Sequence, residues 1–169
     1  MPLNVNSVGM TDINVNSVAM EEVRVNGTTV WRLWNDASGS KNYREHNNAN
    51  QGVPEDFLVY DSGYLTFDRN IKITEFTLFS KVIRKDITGR ISGKFVIDVQ
   101  RPDGSTFNIL TYASETSVGS PEWSTIFTKA VNNNTEVKAI RYRFYVVDAV
   151  RRQYEVTMSA NVTKWKQKN

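Results

Sequence analysis

The sequence is poor in the residues that catalytic centres and covalent cross-links require. Its 169 residues include no cysteine and one histidine, His46. The absence of cysteine excludes disulfide bonds and thiolate metal sites. His46 is followed by Asn47 and Asn48, and no second histidine is present to share a metal ion. We therefore expect no metal site and no cofactor.

Recognisable catalytic motifs are missing as well. The sequence holds no Gly-x-Ser-x-Gly elbow and no Gly-x-x-x-x-Gly-Lys phosphate loop. Its acidic residues are scattered, and no pair suggests the facing carboxylates of a glycoside hydrolase. From these absences we expect that the protein is not an enzyme.

Two further absences concern location. No apolar run approaches the roughly 18 residues of a membrane-spanning helix. No basic stretch leads into an apolar segment near the start, as it does in a secretory signal. We expect no membrane association and no secretory signal.

The composition that is present is typical of a globular domain. Hydrophobic residues make up 40% of the chain and aromatic residues 11%, which exceeds what a disordered chain carries. The net charge of +3 is small for a nucleic-acid-binding protein. In a strand, Arg141 and Arg143 share a face with Tyr145 but not with Tyr142, and one ring is too few for base stacking. We expect no nucleic-acid partner.

The first thirty residues contain one motif three times, with a period of ten residues. The copies run over residues 3–10, 13–20 and 23–30. Asn-Gly and Asn-Ser pairs between short apolar runs favour tight hairpins, and Asn26-Gly27 suits a type I′ turn. Ser7 and Ser17 replace the glycine in the first two copies. For these two copies the sequence is therefore compatible with either a hairpin or an extended arm. An isolated hairpin is marginal in water, so we expect this arm to need another protein surface.

The repeats resemble segments that precede β domains in bacteriophage virion proteins of the tail, fibre, baseplate or head-decoration type. The resemblance rests on residues 3–34, through Val25-Asn26-Gly27-Thr28-Thr29-Val30-Trp31. It implies a non-enzymatic, oligomeric part of a virion that assembles in the host cytoplasm and contacts other virion proteins. The residues expected to make the assembly contacts are Val5, Asn6, Val15, Asn16, Val25, Asn26, Gly27, Val30 and Trp31.

Charge is uneven along the chain. Residues 1–22 carry three acids and no base, whereas residues 136–169 carry eight bases and three acids. Opposite charges at the two ends would favour head-to-tail contacts between subunits or steer the arm onto its own domain.

The remaining pattern predicts three regions: a repeat arm over 1–34, a polar loop over 35–56 and a β domain over 57–169. Within the domain we predict a hairpin around Asp61-Ser62-Gly63, a bulge near Thr74-Glu75 and a turn over 101–105. Ser120 and Pro121 resemble a helix start, which predicts a helical turn or two to about Lys129.

The two closing strands have the most regular pattern. Apolar residues alternate with polar ones from Ile140 to Val146 and again from Tyr154 to Val162. About eight strands without βαβ spacing predict an all-β fold, an antiparallel β-sandwich of the jelly-roll type. Residues 57–163 are similar in strand pattern to discoidin-like, galactose-binding-like jelly rolls.

That similarity leaves a second function open, a carbohydrate-binding module that attaches to a host-surface glycan. Such a site uses exposed aromatic rings beside polar side chains. Its candidate residues are Tyr112, Trp123, Arg141, Arg143 and Trp165. Trp123 has a competing role as a core residue beneath the predicted helical turn.

Overall fold

The computed structural model describes residues 14–15, 18–19, 22–26, 28–49, 57–84, 91–115, 122–148 and 154–168. These residues form strands, turns and connections, and they contain no helix. No helix of the described chain is therefore long and apolar enough to cross a membrane. The strands are β1 (Asn14–Val15), β2 (Val18–Ala19), β3 (Glu22–Val25), β4 (Thr28–Arg32), β5 (Trp34–Ala49), β6 (Phe57–Asp61), β7 (Leu65–Arg84), β8 (Ile91–Gln100), β9 (Thr106–Glu115), β10 (Glu122–Ala130), β11 (Val137–Asp148) and β12 (Tyr154–Lys168).

Strands β5 to β12 form one hydrogen-bonded network that folds into two layers, and all its pairings are antiparallel. Sheet I has the order β9-β8-β11-β6, and sheet II has the order β10-β7-β12-β5. Strand β7 joins them, because its start pairs with β11 and the rest pairs with β12 and β10. The all-β, antiparallel sandwich predicted from the sequence is confirmed.

The core lies between the two sheets. The fully enclosed core residues come from β7, β8, β11 and β12, whose apolar side chains point inward, as expected for strands with one face in a core. The fully buried large residues are Ile71, Ile73, Phe76, Leu78, Phe95, Ile97, Ile140, Tyr142, Phe144 and Met158. The alternation predicted for β11 and β12 is confirmed at the described side chains except Ser159, which holds an outward position of β12 but is only 7% exposed.

The phase shift in β7 is a bulge, as predicted. Lys164 of β12 pairs with Glu75 and the next residue, Trp165, pairs with Ile73, so Thr74 has no partner on β12. The inward side changes from Ile73 to Phe76 at this point. Ile73 and Phe76 are three positions apart and would point to opposite faces of a regular strand. The bulge lets both side chains face the core.

The predicted polar loop over 35–56 is wrong for residues 35–49, which belong to β5. This strand runs beside β12 and starts at Trp34, so the sandwich begins within the predicted arm. Its polar composition hid it, because an edge strand with a half-exposed face needs few apolar residues. Two register shifts against β12 accompany positive φ angles at Gly39 (150°) and Asn42 (51°). Residues 50–56 lie outside the described chain.

The predicted hairpin around Asp61-Ser62-Gly63 is also wrong. Strand β6 and the start of β7 both pair with β11, one after the other along its length. Ser62 connects them, since its amide donates to the Tyr142 carbonyl at 3.0 Å and its hydroxyl accepts from the Tyr142 amide at 2.8 Å. These bonds continue the ladder across the Asp-Ser-Gly sequence instead of reversing the chain.

The predicted helical turn over 120–129 is replaced by strand β10. Glu122 to Ala130 pair with β7 in an unbroken register from Ile83 to Glu75. Thr125, Ile126 and Thr128 are β-branched and fit a strand better than a helix. Residues 120 and 121, which carried the cap motif, lie outside the described chain.

The predicted turn over 101–105 is confirmed. The Arg101 amide donates to the Ser105 carbonyl at 2.8 Å, and the Gly104 amide donates to the Arg101 carbonyl at 3.0 Å. Gly104 has a φ of 91°, which other residues adopt at a cost. Asp103 accepts from the Ser105 amide at 2.8 Å and closes the turn from the side.

Candidate functional site

The ten-residue repeat is also a structural repeat in its second and third copies. Val15 pairs with Val18 in the β1–β2 hairpin, and Val25 pairs with Thr28 in the β3–β4 hairpin. These pairs occupy equivalent positions of the motif. Asn26 follows Val25 with a φ of 51°, as a type I′ turn requires at its first central residue. The third copy therefore forms a hairpin with the predicted turn. The second copy shows the strand pairing of a hairpin.

Of the residues predicted to make assembly contacts, Val15, Val25, Val30 and Trp31 lie on arm strands, and Asn26 lies at the turn. Only the backbone of those four strand residues is described. Val5, Asn6, Asn16 and Gly27 lie outside the described residues. Among the described strands, each arm hairpin is a sheet of its own and shares no ladder with the sandwich.

The root of the arm is held by an aromatic ring. Leu33 alone separates β4 from Trp34, the first residue of β5. The Trp34 ring lies between two ammonium groups, with Lys72 Nζ 4.4 Å and Lys168 Nζ 5.6 Å from its centroid. Such cation–π contacts fix the ring against sheet II. The arm thus leaves the sandwich at a defined point.

Four of the eight bases in residues 136–169 have carboxylate partners in the described structure. Lys164 Nζ lies 2.8 Å from Glu75, and Lys168 Nζ lies 3.5 Å from Glu136. Arg141 and Arg143 have carboxylate partners as well. The attraction between this end of the chain and the acidic arm is therefore weaker than the number of charged residues in the sequence predicts.

The outer face of sheet I carries a cluster of hydrogen-bonded charged and polar side chains. Arg141 Nε donates to Asp61 Oδ1 at 2.8 Å, and Nη2 donates to Oδ2. These hydrogen bonds hold the pKa of Asp61 below its usual value and raise the pKa of Arg141. The Tyr64 ring, 38% exposed, lies 5.8 Å from the Arg141 guanidinium carbon.

A second pair lies beside the first. Arg143 Nη2 donates to Asp98 Oδ2, and Arg143 Nη1 donates to the Tyr145 hydroxyl at 3.3 Å. Asn108 Nδ2 donates to Asp98 Oδ1 at 3.1 Å. Asp98 is only 9% exposed because these neighbours cover it. Arg143 Nε is buried without a hydrogen-bond partner in the described structure.

Sequence reasoning missed Asp61, Asp98, Asn108 and Tyr64 in this cluster. They come from three other strands and a connection, and only the strand pairing brings them to β11. Arg141 and Asp98 are direct partners in the β8–β11 ladder, as are Arg143 and Asp61 in the β6–β11 ladder. No short-range pattern in the sequence could have signalled this arrangement.

The other predicted sugar-binding residues do not join this cluster. Tyr112 stacks edge-on against Phe127 of β10, with ring centroids 5.0 Å apart, and Lys129 Nζ lies 3.9 Å from its ring. Trp165 is 7% exposed and faces the core. Trp123 lies on β10, and only its backbone is described. The structure therefore brings together Arg141 and Arg143 alone among the five candidates.

A cavity of about 290 Å³ opens beside Trp165. Its wall includes Asp36, Ala37, Ser38, Thr74, Lys164 and Trp165. The indole donates its Nε1 hydrogen to Gln167 at 3.2 Å, and a Cβ at Gly39 would lie 3.4 Å from the ring. Trp165 thus packs β5 against β12 and leaves little ring surface for a ligand.

His46 lies on β5 and stacks on Tyr60 of β6, with centroids 4.8 Å apart and planes 14° apart. Burial lowers its pKa. Among the described residues, no group of three or more histidine, cysteine, aspartate or glutamate residues could hold a metal ion. The contact closes the β5–β6 side of the sandwich.

Comparison with known proteins finds likeness in structure only. No family model and no curated protein sequence matches the chain. A chain of infectious bursal disease virus, Gt strain, is similar at a TM-score of 0.38 and 11% identity, over 95% of this chain and 46% of the viral one. The chain thus spans about half the length of this viral relative.

Two other solved structures are similar at the same level. A family 11 carbohydrate-binding module from Clostridium thermocellum, bound to a mixed-linked tetrasaccharide, matches with a TM-score of 0.30 and 8% identity, over 86% of this chain and 94% of the module. An arabinose-bound α-L-arabinofuranosidase matches with a TM-score of 0.31 and 11% identity, over 79% and 23%. Likeness this distant supports no functional inference.

Proposed function

We propose that the chain is a non-enzymatic structural protein of a phage particle, in a tail, fibre, neck or capsid decoration, located in the virion after assembly in the host cytoplasm. Its N-terminal repeat arm contacts other subunits or neighbouring virion proteins. One observation carries the proposal: the described arm hairpins form sheets of their own, outside the sandwich.

The physical reason is the incompleteness of a two-stranded sheet. Each described arm strand has one hydrogen-bonded neighbour, whereas β12 has two. A lone hairpin is at best marginally stable in water. The arm is therefore suited to ordering on a second protein, while Trp34 holds its root on sheet II.

Deletion of residues 1–32 tests the proposal. We expect the shortened chain to stay folded and soluble, with a cooperative unfolding transition by circular dichroism, and to lose assembly by light scattering and electron microscopy. A subtler variant is Asn26→Pro, because proline cannot adopt the φ of 51° at this turn. Normal assembly of the deletion product would refute the proposal.

An alternative function is glycan binding at the outer face of sheet I. The observation that favours it is the pairing of Arg141 and Arg143 with Asp61 and Asp98, which holds the guanidinium groups in fixed orientations beside Tyr64 and Tyr145. A glycan array with the full chain tests it. Tyr64→Ala should remove selective binding, whereas Tyr43→Ala, which removes an exposed tyrosine from β5 of sheet II, should not. No selective binding would exclude this alternative.

A further inference from the structure

Among the strands that the structure describes, four lie at the edges of the sandwich: β9 and β6 in sheet I, and β10 and β5 in sheet II. An edge strand presents backbone N–H and C=O groups that can pair with another chain, and proteins commonly protect such edges. Strand β5 is protected by its two register shifts, with Gly39 and Asn42 at positive φ. Bulges of this kind bend an edge away from a flat partner.

Two other edges are protected in their own ways. Strand β9 has a register shift opposite Ile97 and Asp98, and the side-chain Nδ2 of Asn108 there donates to the Leu110 carbonyl at 3.3 Å. Strand β6 covers five residues and has a shift opposite Phe144 and Tyr145. Neither offers a long, regular ladder to a second strand.

Strand β10 differs from the other three. Its nine residues pair with β7 without a register shift, and they include no glycine or proline. Residues 124–128 carry no charge. Among the described strands, β10 pairs with β7 alone. Its second edge is regular, and no strand of the described residues occupies it.

The phase of the ladder shows which residues face that open edge. The Val131 amide donates to the Thr74 carbonyl at 2.8 Å, so residue 131 and every second residue before it direct their backbone groups to β7. Ser124, Ile126 and Thr128 therefore direct theirs to the open edge. The Ile126 side chain is 69% exposed and lies beside Phe79, its partner on β7.

We propose that β10 pairs antiparallel with β10 of a second copy of this chain, about a two-fold axis at Ile126. A second copy suits this edge because its outward residues form a symmetric series. Ser124 and Thr128 carry hydroxyl groups, and they flank the aliphatic side chain of Ile126. In this register Ile126 meets Ile126 of the second copy, and Ser124 meets Thr128 of the second copy. The apolar row of Phe79 and Ile126 then continues across the axis, and no like charges meet there. The interface is isologous and joins two copies of sheet II into one sheet.

This interface is separate from the arm and deepens the proposed structural role by naming a second subunit contact. Because the chain has no cysteine, single cysteine variants of the full chain report on it directly. Directly opposite residues in a hydrogen-bonded antiparallel pair have Cα atoms about 5.5 Å apart, within reach of a disulfide. Ile126→Cys should form an intermolecular disulfide under mild oxidation much faster than Ala113→Cys on β9, the exposed control.

The register has its own test. A mixture of Ser124→Cys and Thr128→Cys chains should cross-link to each other faster than either does alone, because only the mixed pair is directly opposed. Equal rates for the mixture and the single variants would overturn the proposed register and axis.

Sedimentation of full-length chain supplies the equilibrium test. Ile126→Lys places two like charges at the axis and should raise the dimer dissociation constant by about tenfold or more. Leu58→Lys, an exposed apolar residue on β6, should leave it unchanged. A chain that is monomeric at high concentration, or a dimer insensitive to Ile126→Lys, would overturn the proposal. Arm-mediated assembly that persists under either result would leave the proposed function standing.

Discussion

The arm and the sandwich are both built from antiparallel strands, but they differ in what completes each strand. In the arm, β3 has β4 as its single described neighbour. In the sandwich, β12 has β5 on one side and β7 on the other, and it buries Val156, Met158, Ala160 and Val162 beneath sheet I. The buried apolar surface therefore belongs to the sandwich, and its strand β12 is paired along both edges, whereas the described arm strand β3 is paired along one.

The largest effect should come from ending the chain after residue 155. This removes the central strand of sheet II and four large buried side chains, Val156, Met158, Val162 and Trp165. Their burial contributes roughly 6–12 kcal/mol, comparable to the whole stability of a domain. We expect no cooperative unfolding transition by circular dichroism. Deletion of 1–32 is the matched control and should keep the transition; equal damage from both would abolish the distinction between the two regions.

A smaller effect is expected from Asp98→Ala. The change leaves Arg143 without its carboxylate and removes an acceptor from Asn108, in a cluster where Asp98 is 9% exposed. Breaking such a covered pair should cost about 2–3 kcal/mol in urea unfolding. Asp68→Ala breaks the exposed pair with Lys41, at 3.0 Å, and should leave the urea midpoint nearly unchanged, because solvent screens such a pair. Similar losses at the two positions would show that the outer face of sheet I is ordinary surface.

Tyr142→Phe should stabilise the sandwich. The Tyr142 side chain is fully buried, its hydroxyl has no hydrogen-bond partner in the described structure, and burial raises its pKa. Removing a buried hydroxyl of this kind should raise the free energy of unfolding by about 1 kcal/mol. The checking measurement is the urea midpoint at constant m-value. A lower midpoint would mean that the hydroxyl is hydrogen-bonded in solution.

The smallest effect concerns pH. Burial lowers the pKa of His46 in the folded state below its unfolded value near 6.5. The unfolded chain therefore takes up the proton first, so stability should fall as the pH drops below about 6.5 and level off below the folded pKa. Asp61 has a lowered pKa and loses its contribution only in stronger acid. His46→Phe should remove the difference in Tm between pH of about 7.5 and 5.5, and a difference that persists would assign it to another group.

The parts of the fold that could be predicted from the sequence are those with a local signal. The alternation of β11 and β12 marked their inward faces, the Asp-Gly turn before β9 marked a reversal, and the odd step near Thr74 marked a bulge. In the arm, Asn-Gly at 26–27 indicated a hairpin, and the backbone at Asn26 has the φ that this turn needs.

The parts that could not be predicted depend on distant partners. Strand β5 has a polar sequence and forms because β12 supplies a ladder, while β10 forms because β7 does. The candidate site shows the same limit. Arg141 and Arg143 were identifiable as neighbours on one face, but Asp61 and Asp98 reach them from 80 and 45 residues away.

The sequence by itself determined the class of the protein: an all-β chain with a repeated N-terminal motif, strands that bury one face, and no cysteine to cross-link them. Only the tertiary structure decided which strands lie at the edges, which acids neutralise the basic end and where the open edge of β10 lies. The reason is physical, because hydrophobic alternation acts within a single strand, whereas edges and ion pairs exist only between strands that are far apart in the chain.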